Sequence, residues 1–422
     1  MDESQTSEPL SERKRRVLER TREYLMPSRV ETWSRLGIPL IIGRREGYRL
    51  WDLDGQELLD LHLNGGTYNL GHRHPEVLEA LEQALTELDV GNHHFPSEAR
   101  ADLAETLARM TPGDLHYSVF VPSGSEANDL AIRAARFATG RRKVVALDAG
   151  FHGGTALASA AGRDDSARLF HSANPREFVT VPFDDLDAME KALCGDDVAC
   201  VLLETIPATY GFPIPSDAYL PGVKTLCERH GTLYVADEVQ TGLGRTGTFW
   251  GVEQWGIEPD LLVTGKGLSG GLYPISALLM TKRVGAWLEK EGWAYVSTFG
   301  GAEIGCRVAQ RVLEVTARPE SMETGRRAAK RLGAGLARLR EQHPFLRGVR
   351  QRGLVMGLQL DGSLGAVQLS RALYRRGVWA MFAGFDLSVL QWKPGLLVDD
   401  AYCDDLLERL DAALGDVEGA SA

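Results

Sequence analysis

Through the middle of the chain, short apolar runs alternate with longer stretches whose apolar residues recur every three or four positions. The runs fall at 118–121, 143–147, 199–203, 233–236, 261–264 and 275–280, and between several of them lie helix-period stretches such as 216–229. Strand and helix alternating in this way predict a mostly parallel sheet with helices on both faces, an α/β fold. Beyond about residue 315 the texture changes. Two Arg-rich amphipathic helices, 321–342 and 365–376, flank a segment in which Leu354, Met356, Leu358 and Leu360 alternate with other residues. That alternation reads as a half-exposed strand in a smaller α+β domain. Residues 42–63, with Gly47 and a turn at 52–55, read as a hairpin of the same small domain, which brings the two chain ends together. The resulting division is an N-terminal tail and helix (1–37), a first part of the small domain (38–70), a large domain (71–315) and the rest of the small domain (316–422).

Composition narrows the class of function. A chain of 422 residues, 44% hydrophobic and 25% charged, is that of a soluble globular protein. A net charge of -11 argues against general nucleic-acid binding, which needs Lys and Arg to neutralise phosphates. No apolar run approaches the ~18 residues needed to span a membrane. The acidic N-terminus has no apolar core of a secretory signal, and residues up to about Pro9 read as a loose tail. Cys194, Cys200, Cys227, Cys306 and Cys403 are scattered and form no CxxC pair, so neither a zinc site nor a disulfide framework is indicated. A reducing cytoplasm is the expected compartment.

In an open parallel sheet, ligands bind beyond the carboxyl ends of the strands. Glu204, Asp237 and Lys266 all stand at such ends. Lys266 lies between two glycines directly after an apolar run, where desolvation frees an amine to attack an aldehyde; the plainer alternative is a lysine that only attracts phosphate. Residues 121–128, Val-Pro-Ser-Gly-Ser-Glu-Ala-Asn, follow a strand and open a helix whose Ala127, Leu130, Ala131, Ala134 and Ala135 share one face. The free amides of Gly124 and Ser125 at its positive end form a phosphate cradle, or the motif is a plain Ser-capped helix. Asp237, followed by Glu238, needs a positive partner: a protonated pyridine nitrogen, or Arg245 in a buried ion pair. Gly242-Leu-Gly-Arg-Thr-Gly247 matches the GxGxxG dinucleotide fingerprint, but the glycine-broken, aromatic stretch after it is no helix, so it reads as a turn.

Taken in order, these pieces resemble the class III aminotransferases of pyridoxal 5'-phosphate (PLP) fold type I. The resemblance rests on Gly-His-Arg-His-Pro at 71–75, Ser-Gly-Ser-Glu-Ala-Asn at 123–128, Phe-His-Gly at 151–153, Asp-Glu-Val-Gln-Thr-Gly at 237–242 continuing to Gly247, Thr-Gly-Lys-Gly-Leu at 264–268, and Ser-Thr-Phe-Gly-Gly at 297–301. It implies a seven-stranded, mostly parallel sheet in a PLP-binding large domain. It implies that Lys266 holds PLP as a Schiff base and shuttles protons, with Asp237 paired to the ring nitrogen and Gln240 bonded to the ring hydroxyl. Val239 and Phe151 would pack on the two ring faces, His152 would join the cofactor site, and Glu204 would sit near the substrate entrance. Gly124 and Ser125 would hold the phosphate, and Thr298 would reach the phosphate of a neighbouring subunit, making a homodimer.

Departures from the family pattern bear on substrate. Gly154 stands where acetylornithine-type members carry an arginine, Gln391 replaces a later arginine with Lys393 two positions on, and Ala302-Glu303 replaces the usual Asn-Pro. Pro-Ser-Arg-Val at 27–30 resembles glutamate-1-semialdehyde aminomutase and makes Arg29 a candidate for a substrate carboxylate, against a plain surface arginine. Tyr68 and Asn69 are further substrate candidates, with His93 and His94 as weaker ones. The leading expectation is an aminotransferase moving an amino group from an amino acid or amine to a keto or aldehyde acceptor. An aminomutase or amino-acid epimerase using the same lysine is the alternative, and no motif separates the two. Outside these stand a non-catalytic binding protein, disfavoured by Lys266, Asp237 and Gln240 occurring together, and a nicotinamide-dependent oxidoreductase, which rests only on the glycine motif.

Overall fold

A strand that is apolar at every position needs cover on both faces. The structure, a computed structural model, describes residues 10–92, 94–163 and 165–421; the tail up to Pro9 and His93 lie outside the described residues. The larger sheet has seven strands: β1 (Leu115–Val121), β2 (Lys143–Leu147), β3 (Phe178–Val181), β4 (Val198–Glu204), β5 (Leu233–Asp237), β6 (Leu261–Thr264) and β7 (Ser276–Thr281). Their spatial order is β1-β7-β6-β5-β4-β2-β3. The pairings from β6 through β3 are parallel, and β7 runs antiparallel to both β1 and β6. Val145 and Leu147 of β2 enter one apolar cluster, whereas Val144 and Ala146 enter another on the opposite face. β4 divides its side chains in the same way. No apolar run marked β3, a four-residue edge strand with only Val181 buried.

Helix Gly124–Thr139 follows β1. The Ser123 hydroxyl accepts the Glu126 amide at 3.2 Å, and Gly140 closes the helix in the left-handed conformation at φ 67°. Its five apolar positions named above are all buried.

The smaller sheets join the chain ends. Ile42–Glu46, Arg49–Asp52 and Glu57–Asp60 form a three-stranded meander rather than a single hairpin, and Glu57–Asp60 pairs in parallel with Val378–Trp379. A second sheet comprises Leu346–Arg352, Val355–Leu360, Val389–Trp392 and Met381–Phe382. The expectation of a half-exposed strand near 354–360 is corrected here. Met356, Leu358 and Leu360 enter the core of this unit, while Val355 joins the large-sheet cluster. On that second face, a Cβ added at Gly357 would lie 2.4 Å from the Gly211 carbonyl oxygen, so the strand is covered by protein on both sides. Two N-terminal helices, Glu12–Tyr24 and Pro27–Arg35, replace the single expected one. The Lys14 ammonium, buried 2.5 Å from Asp52, pins the first of them to the meander.

No helix among the described residues is long and apolar enough to cross a membrane. The five cysteines are free, and only Cys194 is exposed.

Candidate active site

Segments leaving β1, β2, β4, β5 and β6 meet at one rim, because strands that run in the same direction deliver their carboxyl ends to the same side. They enclose a cavity of about 200 Å³ lined by Gly124, Ser125, Phe151, His152, Glu204, Asp237, Val239, Gln240 and Lys266, all selected from the sequence, together with Asn128 and Gly153.

Asp237 ends β5 and is buried. Its Oδ2 accepts from Asn128 Nδ2 at 2.9 Å and lies 2.8 Å from His152 Nδ1, and its Oδ1 accepts the Val239 amide at 3.1 Å. The alternative of an ion pair to Arg245 is not what forms. Arg245 donates to the Asn69 side chain and to the Pro394 and Leu354 carbonyls, and Glu238 takes up Thr205, Thr241 and the amides of Gly251 and Val252. Asp237 is therefore aimed into the cavity, with Asn128, His152 and the Val239 amide fixing its orientation.

Lys266 opens a short 3-10 turn straight after β6 with φ +42°, a left-handed conformation that L-residues rarely adopt. Desolvation holds its amine below the ordinary lysine range, with Asp237 and Glu204 pulling the other way. Room for the side chain comes from Gly65, at φ +74°, where a Cβ would stand 2.9 Å from Lys266 Cε.

The Ser cap does not compete with a cradle, because the capping residue is Ser123 and Gly124 and Ser125 open the first helical turn. Ser125 Oγ lies 2.7 Å from Thr155 Oγ1 and accepts the Thr155 amide at 2.9 Å, while Thr155 Oγ1 donates to Asp129 at 2.6 Å. Gly153, at φ +135°, closes the cradle, since a Cβ there would fall 2.2 Å from Ser125 Oγ. Gly153→Ala is expected to displace Ser125 and weaken PLP binding by about tenfold or more, roughly 1.4 kcal/mol. Titration of the apoprotein with PLP checks this.

Glu204 is spent on backbone: its two oxygens accept the Phe151 and Ala208 amides, each at 3.0 Å. Burial pushes its carboxyl up to about 7, opposed by His152. The native state thus holds a proton that the unfolded chain releases near its ordinary pKa. That contribution is complete below about pH 4.5 and is lost as pH rises through about 7. Across that window the wild-type apoprotein should lose roughly 3 kcal/mol relative to Glu204→Gln, whose own baseline is lower because its amide nitrogen cannot accept the second backbone N–H. Urea unfolding at several pH values measures it.

The groups present fit PLP. Gln240 Oε1 and His152 Nε2 are buried without a hydrogen-bond partner, which marks unmet polar capacity at the cavity. Val239 and Phe151 both line it, and an amine, a carboxylate and a helix N-terminus converge on it.

Five other candidates are not brought to this cavity. Arg29 is exposed on helix Pro27–Arg35. Tyr68 packs on His72, with ring centroids 3.8 Å apart, and against Gly271. Asn69 has its amide committed, donating to the Leu243 carbonyl at 2.8 Å and accepting from Arg245 at 3.1 Å. Thr298 is exposed. His94 lines a separate groove of about 590 Å³ with Trp293 and Val296. The glycine motif is a turn, as expected, and the stretch after it, read as no helix, forms only the short 3-10 helix Gly251–Trp255. Sequence reasoning gave Asn128 no role of its own; the signal was a polar residue within the apolar stripe of its helix.

A parallel sheet with a desolvated lysine, a buried carboxylate and a helix N-terminus at one rim defines an enzyme of PLP fold type I. The chain belongs to the class III aminotransferase family: residues 32–414 match the family model described as Aminotransferase class-III. It is 44% identical over 401 residues to an uncharacterized aminotransferase of Archaeoglobus fulgidus, covering 95% of this chain and 94% of that protein. It is 32% identical to the acetylornithine aminotransferase of Neisseria meningitidis serogroup B, covering 91% and 96%. A solved ornithine aminotransferase from Toxoplasma gondii, with partial PLP occupancy at its active site, superposes with a TM-score of 0.84 at 26% identity, covering 90% and 91%. The protein is accordingly a PLP-dependent aminotransferase.

Proposed function

We propose that Lys266 is the amine that anchors PLP and then carries the proton in exchange of an amino group between an amino acid or amine donor and a keto or aldehyde acceptor. The observation behind this reading is the convergence of the desolvated Lys266 amine and the oriented Asp237 carboxylate on one cavity. When bound, the cofactor supplies an aldehyde for amine exchange and an electron-withdrawing ring. Asp237 holds the proton of the ring nitrogen, and Asn128 and His152 hold Asp237. Gln240 would meet the ring hydroxyl, Val239 and Phe151 would pack against the ring, and the Gly124 and Ser125 amides would take the phosphate. Glu204 fixes the loop that carries Phe151, and Lys266, its basicity lowered by burial, would accept the substrate proton.

The working unit in this reading is a cytoplasmic homodimer in which Thr298 reaches the partner's phosphate. Exposed Phe95, Trp293 and Phe299, close in sequence to residues of the 590 Å³ groove, support such an interface. The division at 38–70, 71–315 and 316–422 accompanies it, supported by the strand pairing between the chain ends. The substrate differs from that of the acetylornithine relatives. Gly154 offers no cation, and Gln391 is bonded to the Ala208 carbonyl and to Lys393.

The test is absorbance of the holoenzyme during titration with amine donors in the absence of an acceptor. Loss of the visible band to a near-ultraviolet form supports transfer and names the donor. A persistent band with inverted or rearranged donor favours the epimerase or aminomutase. No visible band after added PLP overturns the reading of Lys266.

A further inference from the structure

Leu63, Asn64, Gly65 and Gly66 all stand in the left-handed region, at φ 48°, 48°, 74° and 94°, and Leu63 in particular carries a side chain that this conformation disfavours. Such a run persists only where its surroundings hold it. The hold comes from Asp60, the last residue of strand Glu57–Asp60, which is buried. Its Oδ1 accepts the His62 amide at 3.1 Å and the Leu63 amide at 2.8 Å, and its Oδ2 lies 2.8 Å from His72 Nε2. His72 is buried too, and its Nδ1 has no partner among the described residues, so the ring spends its hydrogen bonding on Asp60 alone.

The left-handed turn presses on Lys266. A Cβ at Gly65 would stand 2.9 Å from Lys266 Cε and 3.5 Å from Gln240 Oε1, and one at Gly267 would stand 3.4 Å from the Gly66 carbonyl oxygen. The Asp60–His72 pair reaches Lys266 by a second route as well. His72 stacks on Tyr68 with ring centroids 3.8 Å apart, and Tyr68 lies against Gly271, where a Cβ would fall 2.3 Å from its ring. Gly271 donates its amide to Ser269 Oγ at 3.0 Å, and that hydroxyl donates to the Lys266 carbonyl at 2.7 Å. The turn over the lysine side chain and the turn that carries its backbone are thus tied to one buried pair.

We propose that Asp60 and His72 are positioning residues that hold the Lys266 amine in line for proton transfer. The inference rests on the role given to Lys266 above. Proton transfer tolerates little misplacement of the accepting atom, and Lys266 sits at φ +42°, a conformation it would not keep unaided. Neither Asp60 nor His72 lines the cofactor cavity, so both act through the two turns. The backbone of His72 is fixed separately by paired hydrogen bonds with Gly47, at 2.6 and 3.1 Å, so a change of its ring leaves the segment in place.

The experiment measures kcat per bound PLP, donor KM, visible circular dichroism of the bound cofactor and melting temperature in the holoenzyme. His72→Leu keeps the bulk and removes the donor. It should lower kcat by about 10- to 100-fold with donor KM within about twofold, and alter the dichroism per bound PLP. His72→Gln, whose amide can reach the same carboxylate oxygen, should keep kcat within about threefold of wild type. Equal losses of kcat in both variants would overturn the proposal. So would a lowered melting temperature in His72→Leu with kcat per bound PLP near wild type. Should His72→Leu fail to fold, Tyr68→Leu reads the second route: kcat lowered about tenfold at unchanged donor KM supports the proposal. Unchanged kcat there, or a raised KM alone, overturns it. A wild type without any visible band would instead refute the role of Lys266, and the proposal with it.

Discussion

Replacing Lys266 with alanine is expected to lower kcat by about ten-thousand-fold and to remove the visible absorbance of the bound cofactor. Both losses would share one cause, because in the proposed role the same amine anchors PLP and accepts the proton. The side chain fills a space kept clear by Gly65, so its removal opens a small void and leaves the sheet intact. Circular dichroism should therefore match wild type. Retained multiple turnover by Lys266→Ala would exclude the assignment. Added small amines should restore part of the rate, since they can replace the proton carrier though not the covalent anchor.

Asp237→Asn is expected to lower kcat by about a hundred- to a thousand-fold while PLP still binds. The substitution conserves shape and removes the charge that, in the proposed role, would hold the ring-nitrogen proton. His152 Nδ1 and Asn128 Nδ2 both address Oδ2, so the asparagine must present its carbonyl oxygen there, with its amide nitrogen beside the Val239 amide. That local conflict adds a modest loss of stability. A kcat within tenfold of wild type, measured at saturating PLP, would show that the carboxylate is not the electronic partner of the ring.

Much of this was legible in the chain itself, for identifiable reasons. β2 and β6 coincide with apolar runs because strands buried on both faces leave continuous apolar segments between polar turns. β3 escaped because an edge strand with one buried residue carries no such pattern. Glu204, Asp237 and Lys266 were found together because strand ends on a parallel sheet share a rim, which is a matter of topology alone. The roles of Phe151, Val239 and Gln240 came from family resemblance, since nothing in their spacing announces a ring between them. Asn69 illustrates what spacing cannot convey. Its partners Leu243 and Arg245 lie 174 and 176 residues further on, and side-chain direction at that range is settled only by packing.

The union of the chain ends has a consequence for biosynthesis. The strand Glu57–Asp60 waits for Val378–Trp379, and the Tyr48 hydroxyl accepts the Leu397 amide across 349 residues. As the chain leaves the ribosome, its first strands are exposed edges for almost the whole of translation, while the large sheet between them has everything it needs to form. The small unit is thus completed last and in a single closing event. A message cut short before codon 378 would yield a nascent protein with a formed catalytic rim and an open adhesive edge, a natural target for chaperones.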